Sequence, residues 1–141
     1  MLEKHLILWP VAAMAALTFI VLNLMPFARV IAVRTGKARV SDFKYGEAES
    51  VPETARLINR NYMNLLELPV LFYVVCLILF ADDAVTQIEL ILAWLFVGFR
   101  AAHTVLHLTI NHVLVRLSVF ALAVITLLAL WIVTFWRIAG L

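Results

Sequence analysis

The sequence has little charge and almost no cysteine, and both shortages restrict what the protein can be. Charged residues make up 14% of the 141 residues, whereas hydrophobic residues make up 65%. A soluble domain is only about half apolar, so we expect a single membrane domain over residues 1–141. The lone cysteine, Cys76, excludes an intrachain disulfide framework and fits a buried thiol.

Several patterns that would indicate other kinds of protein are also missing. The sequence has no zinc-binding spacing, no phosphate-binding loop, no internal repeat and no low-complexity tract. Its net charge of +2 says little about partners by itself. We therefore expect neither a metal site nor a nucleic-acid partner, and we expect membrane lipid to surround the chain.

Four apolar stretches are long enough to cross a bilayer, which takes about 20 helical residues. We place the spans at about residues 6–28, 57–80, 87–109 and 113–137. The predicted fold is an all-α membrane protein, a four-transmembrane-helix bundle. Pro26 is expected to kink or end the first helix, and Pro69 to kink the second or free the carbonyl group of Leu65.

The charges outside the spans indicate the orientation of the chain. The loop between the first two spans carries five basic residues: Arg29, Arg34, Lys37, Arg39 and Lys44. Basic residues in short loops favour the cytoplasmic side. The turn between the second and third spans carries Asp82 and Asp83 but no lysine or arginine, which suits the opposite side. Both termini are then predicted to lie outside the cytoplasm.

Two polar stripes run along the apolar helices. Arg100, His103 and His107 share one face of the third helix if the region is helical. A similar stripe on the second helix consists of Arg60, Asn64 and Glu67, and it can face the stripe on the third helix. Charged side chains at membrane depth are costly unless they are paired or wetted, so each stripe is a candidate functional site.

Each stripe has a structural and a functional interpretation. An ion pair between Arg100 and Glu67 would neutralise two charges and fix the helix register. Alternatively, the stripes line a cavity that opens to the cytoplasm and admits a polar ligand. Arg116, in the first turn of the fourth helix, either snorkels to the interface or presents its guanidinium group to an anion.

The histidines also leave alternatives open. His103 and His107 have the i, i+4 spacing of metal ligands, but no cysteine or carboxylate nearby supplies a third ligand. A proton relay is a second role, since histidine titrates near neutral pH. Hydrogen bonding between helices is the structural alternative.

With these residues in this order, the sequence resembles the MAPEG family, the membrane-associated proteins in eicosanoid and glutathione metabolism. Four features carry the resemblance, which covers essentially the whole chain. In order, they are Arg39 in the basic loop just after Thr35-Gly36, Arg60-x3-Asn64-x2-Glu67, Arg100-x2-His103-Thr104-x2-His107, and Arg116 nine residues later. The short loops and the Asn-Leu-Leu-Glu-Leu-Pro run resemble bacterial members, so the bacterial inner membrane is the expected location.

The resemblance implies a left-handed bundle that forms a homotrimer, with glutathione bound between neighbouring subunits near the cytoplasmic face. The implied glutathione-binding residues are Arg39, Arg60, Asn64, Glu67, His103, Thr104, His107 and Arg116. Among them Arg116 would be catalytic and stabilise the glutathione thiolate, while Arg100 would be the inner arginine of the family. A hydrophobic small-molecule substrate would enter from the lipid.

The sequence departs from the family pattern at a few positions. Many members have tyrosine at the position of His107, and an arginine often stands at the position of Met63. Members active on prostaglandin have serine and tyrosine where this chain has Leu117 and Phe120. The first hypothesis is therefore a glutathione transferase or peroxidase, and the second is a non-catalytic protein that binds a lipid, an anionic metabolite or a partner subunit. A transporter is a weaker third hypothesis, because four helices lack a second repeat.

Overall fold

A computed structural model describes residues 3–44, 49–83 and 85–140. Four long helices dominate this part of the chain: α1 (Leu8–Arg34), α2 (Glu53–Ala81), α3 (Gln87–Leu108) and α4 (Val113–Ile138). Short 3-10 turns at Lys4–Ile7 and Val40–Phe43 precede α1 and follow it. All four helices are long and apolar enough to cross a membrane, and the described residues contain no strand. The predicted all-α, four-helix class is confirmed.

Pro26 and Pro69 lie inside helices that continue past them. α1 runs beyond Pro26 to Arg34, so Pro26 does not end it. A proline removes only its own N–H donor, and the remaining backbone bonds hold the helix together. In α2, Pro69 is buried, and the carbonyl group of Leu65 has no helical N–H partner at that position.

A glycine ends α1 at the start of the basic loop. Gly36 has φ of +69°, in the left-handed region that side chains with a Cβ atom seldom adopt. The N–H of Gly36 donates to the carbonyl of Val33, and the N–H of Lys37 donates to that of Ala32, each at 3.0 Å. This is the helix-ending pattern expected of a left-handed glycine.

The helices pack as two close pairs, and contacts between α2 and α3 connect one pair to the other. α1 packs mainly on α2, and α3 packs mainly on α4. Phe72 of α2 and Phe96 of α3 stack in the centre with their ring centroids 4.6 Å apart, and both side chains are fully buried. Large apolar side chains cover the outside of the bundle. Lipid tails are as apolar as leucine, so close van der Waals packing rather than escape from water holds such helices together.

A short turn connects α3 to α4 and fixes their relative position. Asn111 has φ of +48°, and its N–H donates to the carbonyl of Leu106 at 2.8 Å. The N–H of Arg116 donates to the carbonyl of His112 at 3.0 Å, which starts α4. The first turn of α4 therefore lies beside the last turns of α3. We call this end of the bundle, which also holds the α1–α2 connection, the basic end.

Candidate functional site

A cavity of about 320 Å³ lies between α2, α3 and α4 near the basic end. Its lining consists of Arg60, Asn64, His103, His107, Val113, Arg116, Leu117 and Phe120. We call this space the main cavity. It brings together polar residues of both stripes with Arg116, so side chains from three helices meet at one depth. Val113, Leu117 and Phe120, all on α4, supply the apolar part of the lining.

A smaller space of about 240 Å³, the side cavity, adjoins the main cavity. It is lined by Glu53, Arg56, Leu57, Arg60, Asn111, Val113 and Arg116. The two spaces share Arg60, Val113 and Arg116. The side cavity has three arginines, Arg56, Arg60 and Arg116, and one carboxylate, Glu53, so this region is positively charged. The planar guanidinium group of arginine can donate two parallel hydrogen bonds to a carboxylate ligand.

The two histidines lie edge to face in the wall of the main cavity. The ring centroids of His103 and His107 are 5.7 Å apart, and the ring of His103 lies at the same distance from Phe120. Both histidines are buried, yet Nδ1 of His103 and both ring nitrogens of His107 have no hydrogen-bond partner in the described chain. Buried polar atoms are normally satisfied, so these nitrogens suit the polar groups of a bound molecule.

The described residues do not assemble a metal site around these histidines. No group of three or more His, Cys, Asp or Glu side chains within residues 3–44, 49–83 and 85–140 has the arrangement needed to hold a metal ion. The i, i+4 spacing of His103 and His107 therefore has no third protein ligand in this part of the chain.

Arg100 is buried deeper than the main cavity, and its partner differs from the predicted one. Its Nη2 donates to the backbone carbonyl of Asn64 at 3.0 Å, and its guanidinium carbon lies 5.8 Å from the ring centre of Phe120. Glu67 is near enough to attract Arg100 electrostatically. However, the ion pairs of the described residues do not include a direct Arg100–Glu67 contact. Glu67 is exposed on this chain, whereas Arg100 is fully buried, so the two charges interact without a direct contact.

Thr104 faces α2 rather than the main cavity. Its hydroxyl group donates to Oδ1 of Asn61 at 3.4 Å, and both side chains are buried. The resemblance assigned Thr104 to glutathione, but it does not line the cavity in this chain. Sequence reasoning missed Asn61. Its signal was a polar side chain inside an apolar span, three residues before Asn64.

Arg39 and Glu67 also lie off the main cavity of their own chain. Both are exposed, and neither belongs to the lining. The backbone N–H of Arg39 donates to Oδ2 of Asp42 at 2.8 Å, which starts the short 3-10 turn. Five of the eight predicted glutathione-binding residues therefore meet at one cavity, and Arg39, Glu67 and Thr104 lie outside it.

Arg116 lies where the two cavities meet, and a residue of the α3–α4 turn holds it. Its Nη1 donates to Oδ1 of Asn111 at 2.7 Å. This is the one side-chain hydrogen bond of Arg116 within the described residues. In the sequence, Asn111 lies in the short stretch between the third and fourth predicted spans.

Fold and site together define a class: a membrane protein of four helices with a positively charged, partly apolar cavity near one end of the bundle. The model of the MAPEG family matches residues 7–136 of the 141, and the chain belongs to this family. The family includes glutathione transferases and peroxidases, and its members generally use glutathione. No curated protein and no solved structure matches the chain.

Proposed function

We propose that this protein is a membrane-embedded, glutathione-dependent transferase or peroxidase that acts on an apolar electrophile from the bilayer. One observation carries the proposal: two arginines, two histidines and an asparagine from three helices surround one cavity. Membership of a family whose members generally use glutathione supports it. A purely structural set of charges would not need a shared open space.

The polar wall fits the chemistry of glutathione, a tripeptide with two carboxylates and a thiol. Arg60 and Arg116 present guanidinium groups that suit carboxylates or a thiolate. The amide of Asn64 and the ring nitrogens of His107 supply neutral donors and acceptors. The buried Oδ1 of Asn64 has no protein partner in the described residues. Binding would give such atoms the hydrogen bonds that they lack.

Arg116 is the residue assigned to sulfur activation. The thiolate, not the thiol, is the nucleophile, and a nearby cation lowers a thiol pKa below its ordinary value of about 8.5. In the transferase reaction, the thiolate attacks an electrophilic carbon, a C–S bond forms, and the leaving group takes the electron pair of the broken bond. The thiol proton has already passed to water.

The peroxidase reaction needs the same thiolate. It attacks the O–O bond of a hydroperoxide, which is reduced to an alcohol after taking up a proton, while the sulfur is oxidised to sulfenic acid. A second glutathione converts the sulfenic acid to a disulfide and releases water. Both reactions place an apolar molecule beside the sulfur, and the α4 wall of Val113, Leu117 and Phe120 supplies an apolar surface for it.

The quaternary structure and orientation belong to the same proposal. MAPEG proteins are generally trimers, and we infer a homotrimer with glutathione between neighbouring subunits. Arg39 and Glu67 are exposed on their own chain, so a neighbour's cavity is where they would contact the ligand. We also infer a bacterial inner membrane, with the basic end toward the cytoplasm and both termini outside it.

The test is glutathione conjugation by the purified protein in detergent with a generic electrophile such as 1-chloro-2,4-dinitrobenzene. Arg116→Ala should abolish turnover above the uncatalysed rate. Arg34→Ala is the matched control, because Arg34 is an exposed arginine at the end of α1. It should retain wild-type turnover. Activity that survives Arg116→Ala unchanged would remove Arg116 from its assigned role.

A second candidate is a non-catalytic protein that binds a lipid or anionic metabolite or serves as a partner subunit. Leu117 and Phe120 favour it, because they line the main cavity without a hydroxyl group. Thermal unfolding with millimolar glutathione separates the candidates. A ligand at about 100 times its Kd stabilises the folded state by roughly 2.7 kcal/mol. A shift without turnover of electrophiles or peroxides favours a binding protein, and no shift excludes glutathione as its ligand.

A further inference from the structure

We infer that Asn111 is a positioning residue that directs the guanidinium group of Arg116 toward the bound thiol. The inference rests on the proposed role of Arg116 in activating glutathione. Its first support is geometric. Oδ1 of Asn111 lies 2.7 Å from Nη1 of Arg116, within hydrogen-bonding distance, and both residues line the side cavity.

The backbone conformation at Asn111 restricts which residues suit this position. Its φ of +48° lies in the left-handed region, and its N–H closes the end of α3 by donating to Leu106. Glycine and asparagine are the residues that commonly end helices in this conformation. Glycine would serve the turn equally well. Asparagine adds a hydrogen-bond acceptor five residues before Arg116.

The neutral charge of the amide is the second support. An arginine near a membrane surface can extend toward water, which would take its charge away from the cavity. Asn111 restrains one end of the guanidinium group without offsetting its positive charge. A carboxylate at the same place would restrain the group but would compete with a thiolate for it. The remaining N–H groups of Arg116 stay available to an anion in the main cavity, which Arg116 also lines.

Two substitutions at Asn111 distinguish the effect of its side chain from the effect of its backbone conformation. Asn111→Gly retains a residue suited to the positive φ and removes the acceptor. Asn111→Asp retains the acceptor geometry and adds a negative charge. The readout is the ultraviolet absorbance of the glutathione thiolate bound to the protein in detergent, measured against pH, together with kcat and KM for glutathione.

Asn111→Gly should raise the pH midpoint of thiolate formation by about one unit and lower kcat near neutral pH about tenfold, because one pKa unit is a factor of ten in the ionised fraction. KM for glutathione should change less than about threefold, since Arg60 and the other wall residues remain. Asn111→Asp should raise the midpoint at least as far, because its carboxylate offsets the charge of Arg116. His112→Gln, an exposed neighbour in the same turn, is the control and should match the wild type.

A double mutant tests whether Asn111 acts through Arg116. If it does, Asn111→Gly in an Arg116→Ala background causes no further change in the midpoint. A merely structural role would lower the melting temperature and add to the loss in both backgrounds. The inference is overturned if Arg116→Ala shifts the midpoint and Asn111→Gly does not, because a shift with Asn111→Asp alone reflects only the added charge. If Arg116→Ala itself leaves the midpoint unchanged, the proposed function fails, and the role of Asn111 fails with it.

Discussion

The carboxylate of Glu89 holds the guanidinium group of Arg137, with Oε1 of Glu89 2.7 Å from Nη2 and 3.1 Å from Nε. This contact joins the first turn of α3 to the last turn of α4. The other oxygen, Oε2, accepts the backbone N–H of Thr86 at 2.8 Å. One fully buried carboxylate therefore both caps α3 and links the two helices at the end opposite the main cavity.

Glu89→Ala should destabilise the protein strongly, because it removes the cap and leaves Arg137 without its main partner. Loss of one partner from a buried pair costs about 3–5 kcal/mol. The lower end of that range is expected, because the Arg137 side chain is 26% exposed and also lies near Asp82. The measurement is thermal unfolding in detergent. Lys4→Ala is the control, since it removes a partly exposed pair with Asp83 and a cation–π contact with Phe80, which together should cost only about 1 kcal/mol. Equal losses of stability in the two variants would contradict a buried contact between Glu89 and Arg137.

Thr104→Val should have a small effect on stability and none on glutathione affinity. The substitution keeps the shape of the side chain but removes the hydroxyl that donates to Asn61. Hydrogen bonds between membrane helices contribute about 0.6 kcal/mol on average. Thermal unfolding and isothermal titration with glutathione check the two effects, with Thr104→Ser as the variant that retains the hydroxyl. Weaker glutathione binding at unchanged stability would instead place Thr104 at the ligand.

If the protein forms the proposed homotrimer and neighbouring subunits share each site, mixed trimers should regain activity. Arg39→Ala and Arg116→Ala homotrimers are both expected to be impaired, because one lacks the loop arginine and the other the cavity arginine. Two copies carrying different affinity tags and one substitution each would be coexpressed and purified through both tags. In a cyclic trimer, one site in three then has both arginines, so conjugation should return to about a third of the wild-type rate.

The control for this experiment is a pair of tagged Arg116→Ala chains, which cannot complement one another. Mixed trimers no more active than the homotrimers would mean that Arg39 contributes nothing to a neighbour's cavity.

Phe96→Ala should destabilise the bundle far more than Trp94→Ala on the same helix. Phe96 is fully buried and stacks on Phe72, whereas Trp94 is 47% exposed on the outer surface. Truncation of a buried phenylalanine costs about 3–5 kcal/mol, because its neighbours lose contacts and a cavity remains. Thermal unfolding of the two variants in one detergent tests the difference. Similar losses would show that the centre of the bundle is not packed as described.

The helices and the meeting of the polar stripes could be predicted because both follow from periodicity. Long apolar stretches separated by short turns give antiparallel neighbours, and i, i+3 or i, i+4 spacing puts His103 and His107 on one face. The short turn after α3 then places Arg116, in the first turn of α4, at the same depth in the bundle as His103 and His107. These inferences need the direction of each helix but not the rotamer of any side chain.

The contacts of Arg100 and Glu67 could not be obtained in this way. Glu67 shares a face with Arg60 but lies seven residues further along α2, which is about 10 Å deeper at 1.5 Å per residue. Asn64 is the deepest residue of α2 in the cavity lining. The spacing of a polar stripe predicts which residues share a helix face, but it does not predict how deep a cavity extends along that face. The partner of Arg100 is a backbone carbonyl, which every residue has, so the sequence cannot predict it.

Two other features did leave a sequence signal. The spacing Thr86-x-x-Glu89 is that of a capping box, which predicts the start of α3 and a structural task for Glu89. An asparagine just after a helix favours the left-handed conformation that Asn111 adopts. Neither pattern reveals Arg137 or Arg116 as the second partner, because those contacts depend on tertiary packing.

The apolar residues in the lining of the main cavity all come from α4, and Arg116 is the only polar residue that α4 adds to that lining. Above Arg116, α4 contributes only apolar side chains such as Leu117 and Phe120, while α2 and α3 contribute the polar ones. Under the proposed function, the thiol donor and the lipid-borne molecule are then recognised by separate parts of the chain. Substitutions confined to Leu117 and Phe120 would then change the range of accepted electrophiles and leave the proposed glutathione-binding residues, including Arg116 on the same helix, unchanged.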